Sequence, residues 1–319
     1  MPLIDLPLEK LKEYQGRNPR PSDFDEYWER ALAELDSVDP EVELVPSDFQ
    51  VTYAECFDLY FTGVKGARIH AKYVKPKTDG KPHPAVLQFH GYTGHAGDWL
   101  ERLPYAALGY SVAALDVRGQ GGKSQDIGGI AGNTHHGHII RGLDEHPDEL
   151  LFRHVFLDTV RLARIVMDFE EVDGSRVATM GGSQGGALAL ACAALEPRIA
   201  RTAANFPFLS DYKRVWEMDL AKDAYAELRT YFRFFDPQHK REEEVFYKLG
   251  YIDIQHLAPR IKADILFGIG LMDTVCPPST QYAVLNKLKA PVQLEIYPDF
   301  AHEGLPGMSD KQFMFLQQL

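Results

Sequence analysis

RVATMGGSQGGALAL, residues 176–190, is the stretch that decides the fold of this chain. The apolar run Val177–Met180 predicts a buried strand, and Gln184–Leu195 has the small, apolar composition of a buried helix. Between them, Gly181 and Gly185 flank Ser183 in a Gly-x-Ser-x-Gly pattern. Glycines are needed there because side chains would collide with the strand and the helix in a tight turn. The stretch therefore predicts a strained strand–turn–helix with the serine at its tip.

Short apolar runs alternate with helical patterns outward from this stretch, which predicts a mostly parallel sheet covered by helices on both faces. The predicted buried strands are Ala85–Phe89, Val112–Val117, Val177–Met180, Ile265–Ile269 and Val292–Tyr297, and helices are predicted near Pro147–Phe169, Gln184–Leu195, Ser279–Leu288 and after Ser309. Alternating apolar residues between Val42 and Val74 predict antiparallel strands ahead of them. The fold class is therefore predicted to be α/β, specifically an α/β-hydrolase fold.

A single α/β-hydrolase domain is predicted over residues 1–319, since no repeat, low-complexity tract or linker divides the chain. Residues 1–40 are predicted to form an N-terminal helical extension, with Ser22 and Asp25 as the S-x-x-D capping pattern of an amphipathic helix. Residues 211–251, rich in aromatic and charged residues, interrupt the strand–helix alternation. We predict that they form an inserted helical cap.

Composition and charge exclude several classes of partner. The formal net charge of −12 argues against nucleic acid, which requires clustered Lys and Arg, and no apolar run is long enough to span a membrane. The first ten residues lack the pattern of a secretory signal peptide. Cys56, Cys192 and Cys276 lie far apart, as expected for reduced thiols in a cytoplasmic protein.

The serine would need a base and the base an orienting acid, because a hydroxyl is a poor nucleophile near neutral pH. In this fold the acid and then the histidine follow the serine, each in a loop after a late strand. Asp273 and His302 occupy such positions and are predicted to be catalytic with Ser183. Asp264 and Asp299 are the competing acids. Asp264 precedes its strand and would lie at the wrong end, while Asp299 is very close to His302 in sequence.

An oxyanion hole requires two backbone N–H groups aimed at one point. One is predicted to be that of Gln184, which follows the nucleophile, and the other that of Tyr92, in the loop after Ala85–Phe89. An aromatic residue in an ordinary turn is the alternative for Tyr92.

A metal site is suggested by the neighbouring histidines His135, His136 and His138. No carboxylate or cysteine lies at a matching spacing, and the predicted hydrolysis requires no metal ion. We therefore predict neither a metal nor a cofactor.

Four segments together resemble the signature set of carbohydrate esterase family 7, which contains acetyl xylan esterases and cephalosporin C deacetylases. They are His90-Gly-Tyr92, Arg118-Gly119-Gln120, Gly181-Gly-Ser183-Gln184-Gly185 and His302-Glu303. Supporting segments are Phe24–Trp28, Pro207-Phe208-Leu209, Gly270-Leu-Met-Asp273 and Pro277-Pro278-Ser279. The resemblance extends over nearly the whole chain.

This resemblance implies a cytoplasmic serine esterase that removes acetyl groups from short xylo-oligosaccharides and from cephalosporin C. It implies the same triad and oxyanion donors, with Arg118 and Gln120 holding the site loops through hydrogen bonds. Tyr92, Pro207 and Phe208 are candidates for the substrate pocket. The loops after Gly94 and Gly121 differ from those of better-known members, so substrate preference is left open.

Family members form hexamers, and the resemblance therefore implies a homohexamer. The long segment 121–146 is the candidate for the subunit contact, since it carries apolar residues that a solvated loop would not keep. These residues are Ile127, Ile130, Ile139, Ile140 and Leu143. The alternative is a lid that packs on its own monomer.

Two other functions are considered for the same fold. A peptidase or amidase would require an anchor for a peptide amine, and no such motif is visible. A non-catalytic receptor would have no reason to keep all five predicted catalytic and oxyanion positions.

Overall fold

A nine-stranded sheet forms the centre of the molecule in the computed structural model, which describes residues 4–127 and 138–319. Its strands are β1 (Glu43–Pro46), β2 (Ala54–Thr62), β3 (Arg68–Pro76), β4 (His83–Phe89), β5 (Ser111–Leu115), β6 (Val172–Gly182), β7 (Arg201–Asn205), β8 (Asp264–Gly270) and β9 (Val292–Tyr297). They lie in the order β1-β2-β3-β5-β4-β6-β7-β8-β9. Strands β1 to β3 are antiparallel, whereas β4 to β9 pair in parallel. The predicted α/β-hydrolase fold is confirmed.

Helices cover both faces of this sheet. They are α1 (Leu8–Leu11), α2 (Phe24–Asp36), α3 (Leu103–Ala106), α4 (Leu151–Met167), α5 (Gln184–Leu195), α6 (Tyr212–Glu217), α7 (Ala226–Phe235), α8 (Glu242–Leu249), α9 (Ile254–Leu257), α10 (Pro278–Leu285) and α11 (Met308–Leu316). One hydrophobic cluster joins the sheet to α2, α4 and α5, and a second joins its other face to α3 and α11. Every residue of α5 is buried, which explains why this helix is apolar on all sides. None of the helices in the described ranges is long and apolar enough to cross a membrane.

The structure corrects one local prediction and adds one strand. Helix α2 begins at Phe24 after Asp23, so Ser22 does not cap it; the Ser22 N–H donates instead to the Tyr247 hydroxyl at 3.1 Å. Strand β7 was not predicted, because its polar ends hide a short buried centre of small residues. Arg201 at its start donates to the carbonyl oxygen of Phe315 in α11, so the polar end has a partner.

Residues 211–251 are helical as predicted, with α6, α7 and α8 inserted between β7 and β8. The N-terminal segment packs on the insertion and on α10. The buried Asp5 carboxylate accepts a hydrogen bond from the Ser279 N–H at 2.7 Å and another from the Arg214 guanidinium at 2.8 Å. Asp211 accepts the Asn18 N–H at 2.7 Å. The N-terminal extension is therefore fastened to the body by buried polar contacts.

Three of the five apolar residues named in segment 121–146 are buried within their own chain. Ile139, Ile140 and Leu143 are at most 2% exposed, whereas Ile127 is 47% exposed and Ile130 lies outside the described residues. Burial of these three side chains in the monomer corrects the argument that a subunit contact is needed to remove them from water.

Buried histidines make the stability of this fold depend on pH. His154 of α4 is 1% exposed, and its Nε2 contacts the Asp148 carbonyl oxygen at 3.0 Å. Burial, together with the neighbouring Arg118 and Arg153 charges, lowers the pKa of His154 to about 3. His256 of α9 is also lowered to a pKa of about 3, first by burial. Both side chains are therefore neutral in the folded protein at neutral pH.

We predict that the free energy of unfolding decreases as pH falls from about 6.5 toward 3. In this range the two histidines are protonated in the unfolded chain but remain neutral in the folded protein. Urea denaturation across this range measures the slope, and His154→Gln should flatten it. Met314→Gln, which replaces a side chain that is 57% exposed and carries no titratable group, is the control and should leave the slope unchanged. Equal slopes in the wild type and in His154→Gln would contradict the assignment.

Candidate active site

Ser183 lies at the junction between β6 and α5 in a strained backbone conformation. Its φ is 57° and its ψ is −121°, a region that a residue with a side chain rarely occupies. Hydrogen bonds on both sides hold the turn. The Ser183 N–H donates to the Asn205 carbonyl oxygen at 3.0 Å, and the Ser183 carbonyl oxygen accepts the Phe208 N–H at 3.0 Å. The neighbouring strand β7 thus supports the conformation.

The flanking glycines are required by space. A methyl group on Gly181 would lie 2.4 Å from the carbonyl carbon of Gly185. A methyl group on Gly185 would lie 2.0 Å from the carbonyl oxygen of Phe89, the last residue of β4. Both distances are far inside van der Waals contact, so the turn closes against the helix and against β4 at the same point.

Ser183, His302 and Asp273 come together at the carboxyl ends of the strands. His302 follows β9, and its Nε2 lies 2.9 Å from the Ser183 Oγ. Its Nδ1 lies 2.8 Å from Oδ2 of Asp273, which follows β8. The three side chains form one continuous line of hydrogen bonds, with Ser183 at the end that can meet a substrate.

The Asp273 carboxyl is fully buried and is held by the backbone of its own loop. Its Oδ1 accepts the N–H groups of Val275 and Cys276, both at 2.8 Å. Since both ring nitrogens of His302 have partners, neither competing acid contacts the ring. Asp264 begins β8 at its opposite end, and Asp299 is exposed to solvent.

Gln184 and Tyr92 are joined through Gln120. The side-chain amides of Gln120 and Gln184 exchange hydrogen bonds of 2.7 and 3.0 Å. The Gln120 Oε1 also accepts the N–H of Thr93, the residue after Tyr92, at 2.8 Å. Because Gln184 is the first residue of α5, its N–H is one that a helix leaves without an intrahelical partner. Gln120 therefore ties the Tyr92 loop to the start of this helix.

Arg118 anchors the loop after β5, which also carries Gln120. Its guanidinium makes two hydrogen bonds of 2.6 Å to Asp158 of α4, and both side chains are at most 2% exposed. A paired fork of this kind fixes both position and orientation. Arg118 does not contact the Ser183 hydroxyl and instead holds the backbone two residues before Gln120.

The predicted pocket residues Pro207 and Phe208 are buried. The Phe208 ring packs against that of Tyr92, with centroids 5.5 Å apart, and is 0% exposed. Phe206 also lies beside the triad, with its ring 4.7 Å from that of His302. Sequence reasoning missed Phe206 because it directly follows the unrecognised strand β7.

Cys276 is a buried neighbour of the triad that sequence reasoning did not assign to the site. Its sulfur lies within 4.8 Å of ligand atoms of Asp273 and His302, a grouping whose atom types could hold a metal ion. Burial raises the pKa of the Cys276 thiol well above its usual value, and a thiol binds metals only as thiolate. Asp273 and His302 are, moreover, hydrogen-bonded to each other.

Of the predicted histidine cluster, His138 is buried with its ring 5.6 Å from that of Tyr92. His135 and His136 lie outside the described residues.

Comparisons with known proteins extend over nearly all of the chain. The family model described as acetyl xylan esterase (AXE1) matches residues 1–319. The acetyl esterase Axe7A of Xylanibacter ruminicola is 30% identical over 322 residues, which cover 97% of this chain and 69% of that protein. Acetyl xylan esterase 1 from Thermoanaerobacterium sp. JW/SL YS485 is 61% identical, with a TM-score of 0.97 and 99% of each chain covered. The acetyl xylan esterase from Paenibacillus sp. R4 is 37% identical, with a TM-score of 0.92 over 98% of this chain and 99% of that one.

Proposed function

We propose, because this chain belongs to the acetyl xylan esterase family, that it hydrolyses acetyl esters through a triad of Ser183, His302 and Asp273. Membership in this family makes the chain a carboxylic ester hydrolase that acts on acetyl esters. The observation that carries the triad assignment is the line of hydrogen bonds from Asp273 through His302 to Ser183, at 2.8 and 2.9 Å.

The first half of the proposed reaction acetylates the enzyme. His302 Nε2 removes the Ser183 proton as Oγ attacks the acetyl carbonyl carbon. The N–H groups of Tyr92 and Gln184 bind the resulting oxyanion, with the positive end of the α5 dipole adding to their effect. The C–O bond to the alcohol then breaks, and the alcohol leaves with the proton from His302.

The second half returns the enzyme to its starting state. His302 removes a proton from water as the water oxygen attacks the acetyl carbon. The tetrahedral intermediate then breaks its bond to Ser183 Oγ, which releases acetate, and His302 returns the proton to Oγ. Asp273 accepts the hydrogen bond from His302 Nδ1 and stabilises the imidazolium formed in each half. The proposed mechanism uses no cofactor and no metal ion.

Acetylated xylo-oligosaccharides and cephalosporin C-type acetates are the proposed substrates. The names of the two solved relatives and of the family model support the first class. The resemblance of the His-Gly-Tyr, Arg-Gly-Gln and Gly-x-Ser-Gln-Gly segments to carbohydrate esterase family 7 supports both.

Removal of the nucleophile should abolish nearly all turnover. For Ser183→Ala we expect kcat to fall by about 10⁴ to 10⁶, and Ser183→Ala/His302→Ala should be hardly slower, since a triad acts as a unit. Asp273→Asn should also be severely impaired because the amide stabilises the wrong histidine tautomer. Asp264→Asn and Asp299→Asn are matched controls expected to stay near wild type. Steady-state kinetics with p-nitrophenyl acetate decides, and near-wild-type turnover by Ser183→Ala would end the serine-esterase account.

Substrate class is tested with a p-nitrophenyl ester series from acetate to octanoate beside acetylated xylo-oligosaccharides and cephalosporin C. We expect kcat/KM to be highest for acetate and free acetate to be released from both natural-type substrates. The Ser183→Ala protein controls for spontaneous hydrolysis. Preference for octanoate, or turnover of a peptide p-nitroanilide above that of the acetates, would contradict the proposed class.

A cytoplasmic homohexamer is the proposed form of the protein. Strand β1 is the edge of the sheet, and apolar residues on and beside it are between 37% and 42% exposed, which supports an association that covers them. These residues are Val42, Leu44, Val45, Phe49 and Tyr53. Closed symmetry would remove such a surface from water in every subunit.

Light scattering on a sizing column should give about six times the chain mass of 36.0 kDa. Val45→Glu, on the exposed edge, should lower this mass, while the exposed but distant Met314→Glu should leave it unchanged. A monomer at micromolar concentration would contradict the hexamer.

A further inference from the structure

Glu227 is a buried carboxyl in α7 that joins two distant parts of the chain. It is 2% exposed. One carboxyl oxygen accepts a hydrogen bond from the Tyr92 hydroxyl, and the other accepts the Ile139 N–H at 2.6 Å. Tyr92 is 135 residues away and Ile139 is 88 residues away in sequence. A single side chain of the inserted cap therefore contacts both Tyr92, in the loop after β4, and segment 121–146.

The Tyr92 side chain is clamped by its surroundings. Its ring meets the His138 ring edge-on at a centroid distance of 5.6 Å and lies 5.5 Å from the Phe208 ring. Its hydroxyl reaches Glu227 at the far end. On the backbone side, the next N–H, that of Thr93, is held by Gln120. The direction of the Tyr92 N–H is thus constrained through the side chain as well as through the loop.

Burial of an acidic group at this position carries a desolvation cost. Burial raises the pKa of Glu227 to about 8, against the opposing effect of its hydrogen bonds from Tyr92 and the 138–140 backbone. An apolar side chain could fill the same space without that desolvation cost, but it could not satisfy the Tyr92 hydroxyl and the Ile139 N–H. The carboxyl therefore provides two hydrogen-bond acceptors that an apolar side chain of the same size would lack.

We propose that Glu227 is a positioning residue, which aims the Tyr92 backbone N–H at the oxyanion by tying the Tyr92 hydroxyl and segment 138–140 to the cap helix α7. The proposal rests on the proposed function, because it assigns Glu227 to the oxyanion hole of the serine-esterase mechanism. A donor that is misdirected, though still present, weakens transition-state binding without changing ground-state contacts with the substrate.

The test is a set of three substitutions assayed with p-nitrophenyl acetate, with active sites counted by a fluorophosphonate label. Glu227→Ala should lower kcat per labelled site about 10- to 100-fold with KM changed less than about twofold, since complete loss of a donor costs about 10² to 10³. Tyr92→Phe breaks the same hydrogen bond from the other side and should lower kcat about 10-fold. Glu227→Gln should restore kcat to within about threefold, because its amide can donate to the Tyr92 oxygen and accept from Ile139.

A second measurement separates positioning from general loosening. A trifluoromethyl ketone forms a tetrahedral adduct with the serine and places its oxygen in the oxyanion hole, so its Ki should rise by the same factor as kcat/KM falls. The double variant Tyr92→Phe/Glu227→Ala should be no slower than Glu227→Ala, because both changes break one interaction.

Asp236→Ala is the matched control. Asp236 is a buried carboxyl of the same insertion, 6% exposed, that accepts the backbone N–H groups of Lys240 and Arg241 at 2.9 and 2.7 Å. Its removal should lower the melting temperature and leave kcat per labelled site unchanged.

The positioning proposal is overturned if Glu227→Ala has the kcat and the ketone Ki of the wild type. If Glu227→Ala does not fold, the same result in Tyr92→Phe overturns it. An equal loss of kcat in Asp236→Ala overturns it as well. The proposed function fails separately, through Ser183→Ala: turnover that survives in that variant would remove the triad, whatever Glu227 does.

Discussion

The close approach of Gly185 to the Phe89 carbonyl oxygen is the constraint on which the rest of the site depends. At this point β4, β6 and α5 are so near one another that even a methyl group on Gly185 would lie 2.0 Å from the oxygen. This close approach requires a tight turn, and in that turn Ser183 has a φ of 57°. Such a conformation costs about 1 to 3 kcal/mol, which the surrounding packing must offset. Since the loop that carries Tyr92 leaves the end of β4, the same contact also brings Tyr92 beside the start of α5.

Around that turn, the proposed catalytic residues are held by backbone N–H groups, by the Gln120 amide and by a buried ion pair. Asp273 is held by the N–H groups of its own loop, and the Gln120 amide couples the two proposed oxyanion donors. The Arg118–Asp158 ion pair holds the loop after β5, which carries Gln120. Because these partners are already ordered, substrate binding would cost them little entropy, as the proposed stabilisation of a developing charge requires.

The elements around the serine were predictable because their constraints are local or topological. The Gly-x-Ser-x-Gly spacing encodes a steric requirement, and the order of serine, acid and histidine follows from a parallel sheet whose strand ends meet. Strand β7 was not predicted because its small and polar residues form no apolar run, and Phe206, which follows it, was missed for the same reason. Ser22 resembles a cap but lies one residue before Asp23, where the helix has yet to begin.

The contacts that could not be predicted join residues far apart in sequence. A helical pattern shows that Glu227 lies on α7 but not that Tyr92 comes to meet it. The apolar residues Ile139, Ile140 and Leu143 show that something must cover them, and periodicity cannot distinguish the chain's own core from another subunit. Burial is visible in a sequence; the identity of the covering surface is not.

Asp5 has a consequence for the order in which this structure can be completed. Its partner Ser279 is 274 residues downstream, at the start of the helix that follows the Asp273 loop. During synthesis at about 5 to 20 residues per second, the segment around Asp5 therefore waits for many seconds before its docking surface exists. Strand β9 and His302 follow Ser279 in the chain, so the last strand of the sheet and the Asp5 contact both become possible only near the end of synthesis.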